Sequence, residues 1–329
     1  MNILAMRFAR LGDVVLLLPA LASLKSAYPD ARLTFLTGHR CAPVAQLCPA
    51  IDEVLAVDRI AMRDGSTLAA LWVMARLVRD VRRRRFDLVI DFHSFRETNL
   101  LARISGARDR IAMKRYNAPY LGFCFNRPPV LEDKALHVSE MFQKVVGAIT
   151  GRVASPEGSL VLPEELRSYA TDAAPPGPRI AVYIDAPVAE RIWPPERFAA
   201  VADFAVETLG ANVLVLSSKE GAKLAARLEK ASRHPDRIAV FTDIGIRELT
   251  ALIASSRLLV SNDTGPMHIG PAVGVRTLGL FSVGYPEHFR PIGACDRFIR
   301  ANPIDKIETR VVIGLVEEMW TTAIPGLRC

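Results

Sequence analysis

Two short stretches combine residue types suited to handling an anion and a proton. In Asn262-Asp263-Thr264-Gly265-Pro266-Met267-His268, turn-forming residues lead into a proline placed as the first helical residue, where its missing N–H would be unpaired anyway. The apolar run Leu258-Leu259-Val260-Ser261 precedes them, so the order is strand, tight turn, helix. Free N–H groups and the positive dipole end at such a helix start attract an anion, and Gly265 lets that anion approach the backbone. His268 falls in the first helical turn, within reach of the same anion, and phosphate is the natural guest. The competing reading is purely local: Asp263 caps the helix and His268 is a packed surface residue.

The amino-terminal counterpart is Ala9-Arg10-Leu11-Gly12-Asp13-Val14-Val15, which follows the strand pattern Ile3–Phe8. Gly12 and Asp13 therefore lie at the carboxyl edge of the first strand, with Asp13 either capping the next helix or serving as a base opposite the phosphate site. Pro19 inside the same helical pattern predicts a kink or a late start. His93 and Arg96, just past the strand Leu88–Phe92, edge the same side of the sheet, and Lys114 and Arg115 add positive charge in the same half.

The elements that must hold these residues alternate. The first half reads as strand Ile3–Phe8, helix Val14–Ala27, strand Arg32–Leu36, helix Ala42–Leu47, strand Glu53–Val57, helix Leu68–Arg83 and strand Leu88–Phe92, a parallel sheet wrapped by helices. The proline-rich Ala173-Ala174-Pro175-Pro176-Gly177-Pro178 reads as a linker. A second doubly wound set follows: strands Arg179–Ile184, Asn212–Leu216, Ile238–Phe241, Leu258–Ser261 and Thr277–Phe281, with helices Glu196–Leu209, Ala222–Ser232, Arg247–Ser255 and Pro266–Val273 between them. Two α/β domains, 1–172 and 173–329, bring the carboxyl ends of their sheets to a shared cleft, where such sheets bind ligands. The last helical segment, Lys306–Trp320, is compatible with packing on either domain.

With 329 residues, half of them hydrophobic, the chain is long enough for two cores and reads as globular. A net charge of +7 suits an anionic partner without naming one. The run Arg82-Arg83-Arg84-Arg85 reads as a helix end opposing the negative dipole pole, with a binding patch as the rival reading. Cys41, Cys48, Cys124, Cys295 and Cys329 form no C-x-x-C pair, which points to a reducing compartment, and the spacing of His39, Cys41 and Cys48 fits no common zinc pattern. The apolar run Val14–Leu24 is far short of the roughly 20 residues a bilayer crossing needs. With no signal-like start either, the cytoplasm is the expected location. G-x-G-x-x-G after a strand and G-x-x-x-x-G-K-[ST] are both absent, and Gly279 to Gly284 is one residue too long for a nucleophile elbow, so dehydrogenase, P-loop and hydrolase chemistries lose their signatures. Nor are there the aromatic-interleaved basic strands of a nucleic-acid binder.

Taken together, the two loops resemble glycosyltransferase family nine, the bacterial ADP-heptose:lipopolysaccharide heptosyltransferases. The resemblance runs through Leu11-Gly12-Asp13-Val14-Val15 with Pro19-Ala20-Leu21, Leu101-Ala102-Arg103-Ile104-Ser105-Gly106-Ala107, His137-Val138-Ser139-Glu140, Trp193-Pro194-Pro195-Glu196-Arg197-Phe198 and Asn262 to His268. It implies GT-B architecture, two facing Rossmann-like doubly wound domains, with acceptor bound by the first and nucleotide sugar by the second. It implies that Asp13 is the general base and that Arg191, at a position where the family commonly has lysine, contacts donor phosphate. Glu220 matches the acidic residue that contacts the ribose. Asp263, Thr264, Gly265 and His268 complete the donor set, and His93, Arg96, Lys114 and Arg115 are acceptor-binding candidates. The chain departs from the family at Ile184-Asp185-Ala186-Pro187, where relatives have a small glycine-containing loop. A carboxylate there repels a diphosphate unless it points away.

The implied activity is inverting transfer of a heptose from ADP-heptose to the inner core of lipopolysaccharide. The partners would be an ADP-sugar and an anionic lipid-linked saccharide, with peripheral contact at the cytoplasmic face of the inner membrane and no nucleic acid. No cofactor is expected, and no metal, since no D-x-D motif stands ready to bridge a diphosphate and Arg191 offers a substitute for the cation. The alternatives are a family relative using another nucleotide sugar and a non-catalytic sugar-nucleotide-binding protein on the same scaffold.

Overall fold

The computed structural model describes residues 1–58, 67–151 and 159–322, which fall into two compact units, Met1–Val161 and Leu162–Cys329. In the first, β1 (Asn2–Arg7), β2 (Arg32–Gly38), β3 (Glu53–Val57), β4 (Leu88–Asp91), β5 (Asp109–Lys114) and β6 (Val130–Leu131) form one sheet in the order β3-β2-β1-β4-β5-β6. Every pairing is parallel. Helices α1 (Leu11–Val15), α2 (Leu18–Ala27), α3 (Ala42–Ala45), α4 (Thr67–Arg83), α5 (Arg96–Ile104) and α6 (Val138–Thr150) accompany it. Leu4, Met6 and Val89 turn to one face and pack with Val81 of α4 and Leu101 and Ala102 of α5. Arg7, on the other face by strand alternation, lies over the Phe142 ring of α6. β4 is buried along its whole length, which is why its Leu88-Val89-Ile90 reads as continuous apolar sequence before the buried Asp91.

The expected Val14–Ala27 helix is two helices. α1 ends at Val15, and Pro19 occupies the second position of α2, where it interrupts no helical hydrogen bond. The arginine run falls at the end of α4, as expected. Arg84 is drawn off it by Glu53, with Nε 3.2 Å from Oε1, and this hydrogen bond holds the Glu53 carboxyl below its usual range.

The second unit contains β7 (Arg179–Tyr183), β8 (Asn212–Ser217), β9 (Ile238–Thr242), β10 (Leu258–Asn262), β11 (Arg276–Phe281) and β12 (Arg297–Arg300). Their order, β9-β8-β7-β10-β11-β12, repeats that of the first sheet, again all parallel. Its helices are α7 (Glu164–Ala173), α8 (Pro195–Glu207), α9 (Ala222–Ala231), α10 (Ile246–Ala254), α11 (Ile269–Ala272), α12 (Pro286–Phe289) and α13 (Thr309–Thr321). Val312, Val316, Met319 and Trp320 of α13 join the core of this unit with Trp193, Val260 and Leu278, which settles the placement of the last helix.

The unit boundary lies before α7, not at 172/173. α7 packs on α10, burying Leu166 and Ala170, with Arg247 Nη2 3.4 Å from Glu165 Oε1. The proline-rich segment is therefore a loop inside the second unit, where Asn212 Nδ2 donates to Pro176 O at 2.7 Å. The expected helix Pro266–Val273 is a 3-10 turn, Gly265–His268, running into α11. Among the described residues no helix is long and apolar enough to cross a membrane, the four cysteines are free, and no group of three or more His, Cys, Asp or Glu is set to hold a metal ion. Cys329 lies outside the described residues.

In each sheet the first and fourth strands of the unit are neighbours, β1 with β4 and β7 with β10. The strand order reverses there, and beyond the carboxyl ends of such strands open α/β sheets bind ligands.

Candidate active site at the two strand-order reversals

At the carboxyl end of β1, Arg7 is 5% exposed. Its Nη1 donates to Phe92 O at 2.6 Å and its Nη2 to Asp13 Oδ1 at 2.7 Å. Asp13 sits in the first turn of α1, but no side chain caps that helix; its carboxylate turns back to the guanidinium instead. Burial works against the charge on Arg7, and Asp13 is the neighbour that does most to sustain it. Asp13 retains 24% side-chain exposure against 6% for Arg7, so the pair presents a carboxylate backed by an arginine.

Across β4 the turn is shaped by Asp91, which is fully buried. Its Oδ1 accepts the N–H groups of His93 and Ser94 at 3.0 and 2.8 Å, and its Oδ2 accepts Asn99 Nδ2 at 2.8 Å. These bonds hold Ser94 at φ +56°, a left-handed conformation unfavourable for a side-chain-bearing residue. Burial pushes the Asp91 carboxyl upward while the hydrogen bonds pull it down. Asn99 Oδ1 accepts Leu121 N–H at 2.9 Å, tying the turn to the loop after β5.

The four acceptor candidates separate. His93 is buried, with its ring 5.7 Å from Phe8 and 4.3 Å from Phe95. Arg115 lies over the same Phe95 ring at 5.4 Å, so these two share one aromatic neighbour. Arg96 is exposed at the start of α5, and Lys114, also exposed, lies 5.6 Å over Tyr120.

In the second unit Arg191 ends a 3-10 turn, Ala189–Arg191, that β10 anchors. Asn262 Oδ1 accepts Trp193 N–H at 3.2 Å and Asn262 Nδ2 donates to Ile184 O at 2.8 Å. Trp193 is buried edge-on to Phe198 and donates its indole N–H to Ile307 O at 3.1 Å, so the Trp-Pro pair fixes the base of the Arg191 loop. Arg191 Nη1 reaches Asp263 Oδ2 at 3.1 Å, with side-chain exposures of 30% and 8%. Its Nε–H has no partner among the described residues. Burial raises the Asp263 carboxyl above its ordinary range, and Arg191 opposes this. A Cβ on Gly284 would come within 2.0 Å of Asp263 Oδ2, so only glycine leaves that carboxylate its place. As with Asp13, the capping reading gives way to an arginine pair: the turn after Thr264 carries no side-chain cap. Thr264 and Gly265 are half-buried, and His268 is buried.

The family departure at Asp185 is accounted for. Its Oδ2 accepts the Ser218 hydroxyl, its Oδ1 accepts Ala186 N–H at 2.7 Å, and it packs so closely on Gly221 that an added Cβ there would meet Asp185 Cγ at 2.8 Å. The carboxylate is thus committed to the loop after β8. Glu220, exposed in that loop, joins Asp185 in raising the Tyr183 phenol, after the larger effect of burial.

Comparison with known proteins identifies the family and the fold. The model of glycosyltransferase family 9 (heptosyltransferase) matches residues 74–312. The chain belongs to glycosyltransferase family 9. As a family 9 glycosyltransferase it is 24% identical over 301 residues to lipopolysaccharide heptosyltransferase 3 of Escherichia coli, covering 85% of this chain and 83% of that protein. The glycosyl transferase family 9 structure from Veillonella parvula superposes with a TM-score of 0.84 at 22% identity over 97% of both chains. The E. coli heptosyltransferase WaaC with ADP does so with a TM-score of 0.82 at 17% identity, over 97% of this chain and 100% of that one. The family 9 enzyme thus has the α/β GT-B fold of these structures. Arg7, Asp91 and Asn99 in the first unit and Gly284 in the second are the parts that sequence reasoning missed, while Asn262 stood in the quoted motif without its anchoring role. Arg7 alone left a signal, a cation at the carboxyl end of the first strand six residues before Asp13.

Proposed function

We propose that this family 9 glycosyltransferase moves a heptose from ADP-heptose to the inner core of lipopolysaccharide with inversion at the anomeric carbon. The observation that carries the reading is the pair of opposed charge arrangements at the two strand-order reversals, an outward carboxylate in the first unit and an outward guanidinium in the second. The names of the relatives supply the substrate class.

In this mechanism the acceptor hydroxyl oxygen bonds to the anomeric carbon, the bond from that carbon to the diphosphate oxygen breaks, and the hydroxyl proton passes to Asp13. Arg7 occupies one carboxylate oxygen and leaves the other to take the proton, a positioned general base. Arg191, with the backbone around Thr264 and Gly265 and with His268, meets the charge that builds on the departing ADP. Donors preorganised where charge develops stabilise the transition state most. Asp263 serves by holding Arg191. Glu220 takes the ribose hydroxyls, and Asp185, bound to Ser218, stays off the diphosphate. Protein donors take the part a divalent ion plays elsewhere, so turnover is expected to persist in EDTA. The acceptor is an anionic lipid-linked saccharide met at the cytoplasmic face of the inner membrane, with His93, Arg96, Lys114 and Arg115 of the first unit as its contacts.

The deciding measurement is nucleoside diphosphate release from ADP-, UDP- and GDP-sugars, each with and without a lipid A–core acceptor. Acceptor-dependent release from ADP-heptose alone supports the proposal. Release from a different nucleotide sugar would transfer the assignment to that donor, and tight donor binding without turnover would make this a binding protein.

A further inference from the structure

One surface of the first unit is unused by the chemistry above. α4 and α5 pack against each other and cover the same face of the sheet, with the 3-10 turn Gly122–Cys124 packed beside α5. Their inward residues are spent on the core: Val81, Leu101, Ala102 and Cys124 are buried there. The outward side of the same layer carries Trp72, 63% exposed, and Phe123, 70% exposed, with Leu100 and Ile104 of α5 also exposed. On the same helix as Trp72, α4 carries the exposed arginines Arg76, Arg79, Arg82 and Arg83. Asp80 is the carboxylate that answers them, at 3.8 Å from Arg76 and 3.9 Å from Arg79, so the face remains strongly cationic. Arg76 also lies 5.7 Å over the Trp72 ring.

We propose that this face docks on an anionic lipid bilayer, the arginines meeting lipid phosphates and Trp72 and Phe123 entering the headgroup region. Charge complementarity selects the occupant. A protein partner would be expected to meet a patch poor in charge at its centre, whereas arginine beside exposed tryptophan and leucine suits the membrane interface, where aromatic rings with a polar edge settle and basic side chains find anionic headgroups. The apolar side of α4 is already buried in the core, so the helix does not sink into the bilayer and attachment is electrostatic, reversible and weakened by salt. The inference deepens the acceptor half of the proposed function, a lipid-linked saccharide being presented at such a surface, but lipid binding does not depend on transfer.

The test is co-sedimentation of the full chain with vesicles of phosphatidylglycerol and phosphatidylethanolamine, and with vesicles of phosphatidylcholine alone; neither carries a saccharide, so failure of the transfer reading leaves this result standing. The chain should bind the first and not the second. Each arginine removed by Arg79→Ser or Arg83→Ser should lower the partition coefficient about fivefold, the equivalent of the ~1 kcal/mol carried by a basic side chain near an anionic surface. Trp193 and Trp320 are buried, so a blue shift of tryptophan emission on binding should come from Trp72 and vanish in Trp72→Phe. ADP release with a soluble, delipidated acceptor should be unchanged in all three variants. Equal binding to both vesicle types, or wild-type partitioning by the double arginine variant, overturns the proposal. So does binding of an oligonucleotide through the same arginines while vesicles are ignored.

Discussion

The strand-order reversals of the two units are built alike and charged in opposite senses. In the first, the buried partner is the cation: Arg7, anchored by Phe92 O, holds Asp13, and the carboxylate faces outward. In the second, the buried partner is the anion: Asp263, fitted against Gly284, holds Arg191, and the guanidinium faces outward. One scaffold thus presents two opposite charges by exchanging which member of an ion pair is desolvated. A buried partner fixes geometry at a cost in hydration, and the exposed partner keeps the charge available. An outward carboxylate suits proton removal and an outward guanidinium suits a phosphate.

The strongest way to break this contrast is to neutralise the first exposed group. Asp13→Asn, isosteric and still able to accept from Arg7, should lower kcat for acceptor-dependent ADP release by about 10²- to 10⁴-fold, the usual contribution of a general base, with donor Kd unchanged by calorimetry. Wild-type turnover in this variant would remove Asp13 from the mechanism. Arg7→Met, which keeps the carboxylate but not its anchor, should cost up to about 10²-fold in kcat through misplacement.

A smaller perturbation acts on the second site from behind. Gly284→Ala puts a methyl group where Asp263 Oδ2 now lies, so Asp263 must shift and Arg191 with it. Steady-state kinetics should show donor KM rising about tenfold, a loss of roughly 1.4 kcal/mol, with acceptor KM unchanged. An effect confined to the acceptor would contradict the division of labour between the units.

The smallest expected effect separates function from stability. Burial raises the folded-state value of the Asp263 carboxyl, so this group favours the folded chain while protonated. That contribution is complete below the unfolded value of about 4 and is lost as pH rises through the folded value. Asp263→Asn should therefore flatten the acid-side dependence of Tm and leave Tm at neutral pH equal or about 2–4 °C higher, while donor binding weakens. A lower Tm at neutral pH would mean that attraction to Arg191 outweighs the desolvation of Asp263.

Much of this architecture was legible because parallel strands covered on both faces are written as apolar runs. β3 carries its expected bounds, and β7, β8 and β10 lie within one residue of theirs. The elements passed over lack that signature. β5 has charge at both ends and only Ile111-Ala112-Met113 buried, and β12 is a mostly exposed edge strand bounded by arginines. The Asp13 and Asp263 loops stood out as turn chemistry after a strand, but their arginine partners did not: Arg7 reads as an ordinary strand end, and the bond between Arg191 and Asp263 joins residues 72 positions apart. Asp91 and Asn99 were hidden for a related reason, since a buried polar network is visible only once its members share space.

The place of α7 bears on how this polypeptide can be divided. The proline-rich loop looks like the natural scissile point, yet a fragment starting at residue 173 would lack the helix whose Leu166 and Ala170 are buried within the second unit. The uncovered side of α10 would then meet water, and such a fragment should aggregate where one starting at Leu162 stays dispersed. Limited proteolysis, by the same reasoning, should spare Ala174 to Pro178, whose backbone is tied down by Arg179 and Asn212.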